Sequence, residues 1–411
     1  MEMKRSTHWL LGWLLLLSPM VAAQTWVLHQ PMPSPRYGIT AVHWNNQIVV
    51  MGGRDAGDSL LALVESFDYL SGVWSRFPAD LRAPRCNAAA VVYHGRIHIV
   101  GGAGDSSQAL ATAEFYDEQT GQWQQLPALS VAREGAAVAV INDTLFAIGG
   151  YDGTSPLKSI EYYHSAFNQW QTSRWQLSTP RGWLAATTLN DSIFTVGGLL
   201  LAPVGILERY HSSDGSRRRA DMPTPRGRMA AVNFQNELWT LGGAAQHGAT
   251  ETVELYEYYT NQWRSGIPLI QARELHAAVV AREKIYVLGG RDAEGNVLAS
   301  VEVFQPLTAV AATERQLPQS PVLRSYPNPF AQTVRIVLQT AGQKAGMASV
   351  VMHDLLGATV FRRQITGSAA GIEVLWDGKD QTGQQVQDGL YFITIRAGDT
   401  VFRHKLLKLG R

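Results

Sequence analysis

Tyr37, Asn87, Glu134, Tyr151, Trp183, Arg228, Glu274 and His276 are the side chains whose types and spacing offer chemistry. Seven of them follow within three residues of an arginine that recurs along the chain, and Tyr151 follows Gly149-Gly150. A large aromatic such as Trp183, standing where corresponding positions hold Gly38, Asn87 and Gly135, can stack on the apolar face of a sugar. Asn87, Glu134 and Arg228 then suit hydroxyls or a carboxylate. The same tryptophan can instead plug a channel. Arg228 and His276 beside Glu134 and Glu274 offer an acid and base pair, or simply structural ion pairs. Metal chemistry has less support. Cys86 is the only cysteine, which excludes an intrachain disulfide framework and any cysteine-based zinc cluster. The histidines, among them His43, His94, His164 and His211, show no metal-ligand spacing, so no metal and no cofactor is expected.

The elements that must position these residues are read from internal repetition. Gly-Gly recurs at 52, 101, 149, 197, 242 and 289, each time ending a hydrophobic strand such as IVVMGG or IYVLGG. Arg36, Arg85, Arg133, Arg181, Arg226 and Arg273 precede the pairs in step, each followed by a small, apolar strand. A polar loop after each Gly-Gly leads to a strand such as LVESFDY or SIEYYHS. A short turn then leads to Trp74, Trp123, Trp170 or Trp263. Each period therefore holds four short strands, too few to bury both faces of a sheet alone. Six such periods stack radially as six four-stranded blades around a channel. Because the arginine opens the inner strand and Gly-Gly ends its antiparallel neighbour, the loops that follow both emerge on one side, around the channel mouth.

The double glycine, the spaced aromatic and tryptophan, and the arginine resemble the kelch repeat family over roughly residues 24 to 306. The resemblance implies an all-β chain with a six-bladed kelch propeller. It implies little about function, since kelch propellers serve as enzymes and as binding modules. Trp26 lies ten residues before Arg36, as Trp123 lies ten before Arg133. Residues 24–31 are thus expected to supply the missing outer strand of the sixth blade, closing the ring without an open edge. Near Arg217, in DGSRRRAD, the fourth repeat lacks its tryptophan, and of two readings, a frayed outer strand or a basic run in a solvated turn, the turn is favoured.

Two further regions flank the propeller. Lys4 and Arg5, the apolar run Trp9 to Leu17 and Val21-Ala22-Ala23 read as a signal peptide over residues 1–23, too short in its apolar stretch to span a bilayer. Its removal leaves 33 basic and 33 acidic side chains, a charge that disfavours nucleic-acid binding. No transmembrane segment is expected in the mature chain. A proline-marked linker over 307–321 leads to a small β-sandwich over 322–411, with alternating strands such as TVRIVL and LYFITI. There YPNPF, HDLLG, LWDGKD, DGLYFITI and RHKLLKL resemble the C-terminal sorting domain of type IX secretion cargo, and a similar immunoglobulin-like module of flagellar hook-capping proteins. The first resemblance implies a partner in the outer-membrane secretion machinery. It also implies a protein secreted by, or displayed on the surface of, a Gram-negative bacterium.

The expectation is therefore a secreted or surface kelch propeller that binds a glycan or an extracellular protein at its channel face. The alternative is a carbohydrate-active enzyme of the kelch class, such as a sugar mutarotase or epimerase. Binding is favoured over catalysis because the mouth offers few convergent titratable groups. A galactose-oxidase-like copper enzyme is less favoured still, since only Cys86 and His276 fall near the mouth.

Overall fold

The computed structural model describes residues 25–211, 215–306, 322–326, 330, 332–339, 347–355, 357–366, 372–397 and 400–409. The expected signal peptide and linker lie outside the described residues. The chain divides into two compact units, Met1–Val310 and Ala311–Arg411.

The first unit carries six four-stranded antiparallel sheets. Blade 1 runs outward through Thr40–Trp44, Gln47–Met51, Val64–Asp68 and Val73–Arg76. The inner strands of blades 2 to 6 are Ala89–Tyr93, Ala137–Ile141, Ala185–Leu189, Ala230–Phe234 and Ala277–Ala281. Their small residues suit the crowded centre of a radial array. Blade 6 takes its outer strand from the other end of the unit, where Thr25–His29 pairs antiparallel with Val301–Gln305.

The recurring arginine is a framework residue, and its partner is a glutamate in the third strand of the same blade. Arg133 Nη2 donates to Glu161 at 2.6 Å and Arg273 Nη2 to Glu302 at 2.6 Å. Arg36, Arg85, Arg181 and Arg226 pair in the same way with Glu65, Glu114, Glu208 and Glu254, and all six arginines are buried. Burial lowers each guanidinium pKa and the glutamate opposes that shift. Five of the six also donate to the first glycine carbonyl of their own blade, as Arg133 does to Gly149 at 2.7 Å. The glutamate in turn accepts from the link arriving from the previous blade, as Glu302 does from Ile270 N at 2.7 Å and Gln271 N at 3.0 Å.

This arrangement gives the double glycine its physical reason. A Cβ on Gly52 would lie 2.4 Å from the Arg85 carbonyl of the next blade, and Gly52 has φ +61°. Gly53 N donates to that carbonyl at 2.8 Å. The contact repeats around the ring and ends with Gly290 N on the Arg36 carbonyl at 2.9 Å. A side chain at the first glycine would push neighbouring blades apart.

The outer tryptophans tie blades together from outside. Trp123 Nε1 donates to Ala79 O at 3.1 Å and Trp263 Nε1 to Ala220 O at 2.8 Å, each on the preceding blade. Trp26 is 4% exposed, stands 5.2 Å from the Phe304 ring and donates to Ile267 O at 2.9 Å. The fourth repeat corrects one expectation. Gly215–Arg218 is not a solvated turn but the outer strand of blade 4, paired with Leu207–His211. Ser216 stands opposite Tyr210, where other blades pair a tryptophan. Trp175 of blade 3 covers the strand instead, with its ring 2.5 Å from where a Gly215 Cβ would sit.

The second unit is a sandwich of two sheets. Val322–Tyr326, Val334–Gln339 and Ile372–Trp376 form one; Thr359–Thr366, Met347–His353, Gly389–Ala397 and Thr400–Lys408 form the other. Trp376 is central to its core, 5.4 Å from both Phe330 and Tyr391.

Because Trp26 is buried between blades, Trp26→Ala is expected to destabilise the propeller by about 3–5 kcal/mol, as other buried aromatics do. Denaturant melts of the full chain beside Trp123→Ala check this. A Trp26→Ala transition identical to wild type would show that the first strand does not hold the ring closed.

Candidate functional site

Six residues that follow the framework arginines form a backbone collar at the channel mouth. Gly38, Asn87, Gly135, Trp183, Arg228 and Leu275 all have positive φ, between 48° and 63°. Each N–H donates to the carbonyl of the equivalent residue one blade back. The six bonds are Asn87 to Gly38 (2.8 Å), Gly135 to Asn87 (2.9 Å), Trp183 to Gly135 (2.6 Å), Arg228 to Trp183 (2.9 Å), Leu275 to Arg228 (2.9 Å) and Gly38 to Leu275 (2.8 Å). The circuit closes on itself. Glycine and asparagine visit this conformation readily, whereas tryptophan, arginine and leucine adopt it at a cost of about 1–2 kcal/mol each.

On this common backbone the blades present different side chains. Trp183 lies against the Gly135 backbone, where a Cβ would be 2.8 Å from its ring, and 5.7 Å from the Tyr151 ring. Arg228 holds its guanidinium 5.7 Å from the Trp183 ring and donates to Glu274 at 3.2 Å. Glu274 also accepts from Arg291 Nε at 2.6 Å, and Arg291 stands 5.2 Å from the Tyr37 ring. Tyr37 donates to Asp58, which also faces Arg54 at 3.6 Å. Burial first, and Asp58 second, push the Tyr37 phenol up to about 12. Asn87 donates to Glu134 at 3.2 Å while its side-chain Oδ1 is buried without a partner. Burial raises the Glu134 carboxyl pKa, opposed by the Asn87 hydrogen bond and by the charges of Arg228 and Arg54.

Seven of the eight sequence-derived candidates thus join one chain of contacts or stand beside it. Of the eight, Asn87, Trp183, Arg228 and His276 line a cavity of about 190 Å³ together with the starts of all six inner strands. Trp183 is half-buried in that wall. His276 borders the cavity but stands outside the chain of contacts. Its ring is buried beneath Gly242 of blade 5, 2.8 Å from where a Cβ would stand there, and neither ring nitrogen makes a close hydrogen bond. Corresponding positions hold Ile39, Leu184 and Met229. Cys86 is also buried, and burial raises its thiol pKa. Among the described residues no group of three or more His, Cys, Asp or Glu side chains is placed to hold a metal.

Six four-stranded blades, each locked by the arginine and double glycine, decide the family. The chain is a kelch-repeat β-propeller protein with a type IX secretion sorting domain. The KLHDC2/KLHL20/DRC7 kelch-repeats domain matches residues 18–198, the kelch motif residues 272–309, and the secretion system C-terminal sorting domain residues 324–408. The sorting domain marks a secreted or cell-surface kelch protein. Alpha-scruin and beta-scruin of Limulus polyphemus are 35% and 34% identical over 82 residues, a stretch covering 20% of this chain and 8% of theirs. The solved structure of YjhT superimposes with a TM-score of 0.59 at 14% identity, covering 66% of this chain and 95% of that one, a likeness of fold alone. No helix among the described residues is long and apolar enough to cross a membrane.

His276 gives this kelch propeller a pH signature. Burial first, then the charge of Arg273, lower its pKa to about 3; the Leu241 backbone opposes the shift and the charge of Arg226 adds to it. The unfolded chain binds a proton near pH 6.5 that the fold refuses, so stability falls as pH drops below 6.5. His276→Leu, the residue of blade 4, is expected to remove this loss, worth on the order of 2 kcal/mol at pH 5. Urea melts at pH 7.5 and 5 check it; equal losses in both proteins would assign the acid sensitivity elsewhere.

Proposed function

We propose that the propeller binds a glycan at its channel mouth, and that the C-terminal domain takes it to the surface of a Gram-negative bacterium, or beyond, through type IX machinery. One observation carries the glycan reading: the strained aromatic Trp183, backed by Tyr151, borders a small cavity lined also by Arg228 and by Asn87, which donates to Glu134. An aromatic face beside fixed donors and acceptors suits a sugar ring, apolar on one face and hydroxylated at its edge. A cavity of about 190 Å³ favours a single ring over a broad protein surface. The backbone cost of placing tryptophan, arginine and leucine at left-handed positions supports selection for what these side chains touch.

A second reading draws on Glu134. A buried carboxyl with a raised pKa, close enough to Arg228 and Arg54 to feel both charges, suits proton transfer on a sugar, as in a mutarotase or epimerase.

A glycan array probed with the full chain, followed by calorimetric titration of the sugars retained, tests the proposal. Trp183→Ala is expected to weaken binding at least about tenfold while leaving the thermal midpoint near that of wild type. Retained binding with a large loss of stability would make Trp183 a structural plug. No glycan retained on the array would overturn the reading. Following the anomeric signals of a retained sugar by NMR in the same titration separates binding from ring opening.

A further inference from the structure

Blade 2 satisfies its framework pair less completely than its neighbours do. In blades 1, 5 and 6 the residue two before the framework arginine brings a polar side chain to the pair. Ser34 donates to Glu65 at 3.1 Å, Thr224 donates to Glu254 at 2.9 Å, and Gln271 accepts from Ser300 at 3.1 Å. Blade 2 has Ala83 there. Besides Arg85, Glu114 accepts from Arg82 N at 3.3 Å, whereas Glu161 and Glu302 each accept two backbone N–H groups, at 2.7 and 3.2 Å and at 2.7 and 3.0 Å. Thr112 stands where blades 3 and 6 have Ser159 and Ser300, whose hydroxyls accept from the arginine at 3.3 and 3.0 Å. Its own hydroxyl is buried without a partner. These residues line a cavity of about 470 Å³, larger than the one at the mouth and sharing no residue with it.

Four exposed polar side chains edge this cavity: Arg82, Asp105, Gln108 and Gln125. Asp105 is unspent because its loop is built differently. Asp55, Asp152 and Asp292, two residues after the double glycine, each accept backbone N–H groups of their own turn at 2.7 to 3.1 Å. Blade 2 has Gly104 at that position, and its loop closes through backbone alone, with Gly104 N on Gln108 O at 2.9 Å. The aspartate comes one residue later, and among the described residues its carboxylate has no hydrogen bond or ion pair. Arg82 is unpaired too. Its Nη1 reaches Trp123 O at 3.5 Å, over the outer strand that ends in Gln125, and no carboxylate of the described residues lies within ion-pair distance of the guanidinium.

A guanidinium from the link and a carboxylate from the loop, both unpaired at one cavity, are complementary to a ligand that carries both charges. A neutral sugar would leave the two charges unmatched as it displaced their water. We propose that blade 2 holds a binding site for a small zwitterion of the amino-acid class. The ligand carboxylate meets Arg82, and its ammonium meets Asp105 and the under-bonded Glu114. The Gln108 and Gln125 amides then serve the polar remainder of the ligand. This site is independent of what the mouth binds.

Ligand-observed NMR titration of the full chain tests it, with glutamine and alanylglutamine as zwitterions of two sizes, N-acetylglutamine and glutaminamide as forms with one charge, and maltose as an uncharged control. At least one zwitterion is expected to bind, and the tighter of the two gives the size of ligand the cavity takes. Each singly charged form should bind at least about tenfold more weakly than glutamine. Arg82→Gln and Asp105→Asn should each weaken zwitterion binding at least about tenfold with an unchanged melting temperature, since both side chains are exposed. Ala83→Thr, the residue of blade 5, should weaken it as well by filling the floor and taking the spare bond of Glu114. Neither zwitterion binding to wild type, or zwitterions that bind the Arg82 and Asp105 variants as they bind wild type, would overturn the proposal. Maltose bound in their place, with the same variants affected, would also overturn it and give the cavity to a hydroxylated ligand.

Discussion

A buried guanidinium, repeated six times, is the constraint on which the propeller depends. Each arginine side chain binds the third-strand glutamate of its own blade, and in five blades the first glycine carbonyl as well. Its backbone carbonyl accepts from the second glycine of the blade before it. The glutamate, besides the arginine, receives backbone N–H groups from the link between blades. One residue type therefore fixes strand to strand and blade to blade. An ion pair this deeply buried recovers only a fraction of its desolvation cost from charge attraction, so its main effect is to define where each blade must sit.

Once the arginine is fixed, the next two residues have little freedom. They must rise over the inner strand and pass through the left-handed region to meet the neighbouring carbonyl, which closes the collar of six hydrogen bonds. Gly38, Asn87 and Gly135 meet that demand cheaply; Trp183, Arg228 and Leu275 do not. The expensive residues occupy three consecutive blades, 4 to 6, so the mouth is asymmetric, with its largest side chains grouped on one half. Framework and reading positions are adjacent in sequence yet separable in role. The framework is the same in every blade, and the side chains above it differ.

Much of this was legible because the repeat is. Gly-Gly and arginine in step, with four strands between, specify a radial stack before any coordinates are known, and the strings YPNPF and DGLYFITI mark the sorting domain. The glutamate partners were visible in VESFDY and VELYEY but unread, because they lie 27 to 29 residues from their arginines, a distance at which sequence spacing says nothing of contact. His276 misled for a local reason. Strand alternation would keep it on the side of Glu274, but Leu275 between them has positive φ, which breaks the alternation and turns the ring against Gly242 of the neighbouring blade. The collar was hidden because it is made by backbone groups, and only a run of unlike residues, Gly, Asn, Trp, Arg and Leu, shares its positive φ. DGSRRRAD lost its tryptophan and looked like a turn. The strand forms regardless, because Trp175 from the adjacent blade supplies the missing cover.

A double-mutant cycle on Arg273 and Glu302, a pair with both side chains fully buried, tests the framework most directly. Denaturant melts of Arg273→Met, Glu302→Gln and the double variant are expected to show about 3–5 kcal/mol lost for each single change, since each leaves a buried charge or its partners uncompensated. The double variant should lose much less than the sum of the two. Single variants within about 1 kcal/mol of wild type, or losses that simply add, would mean that the pair is not what fixes the first strand to the third within a blade.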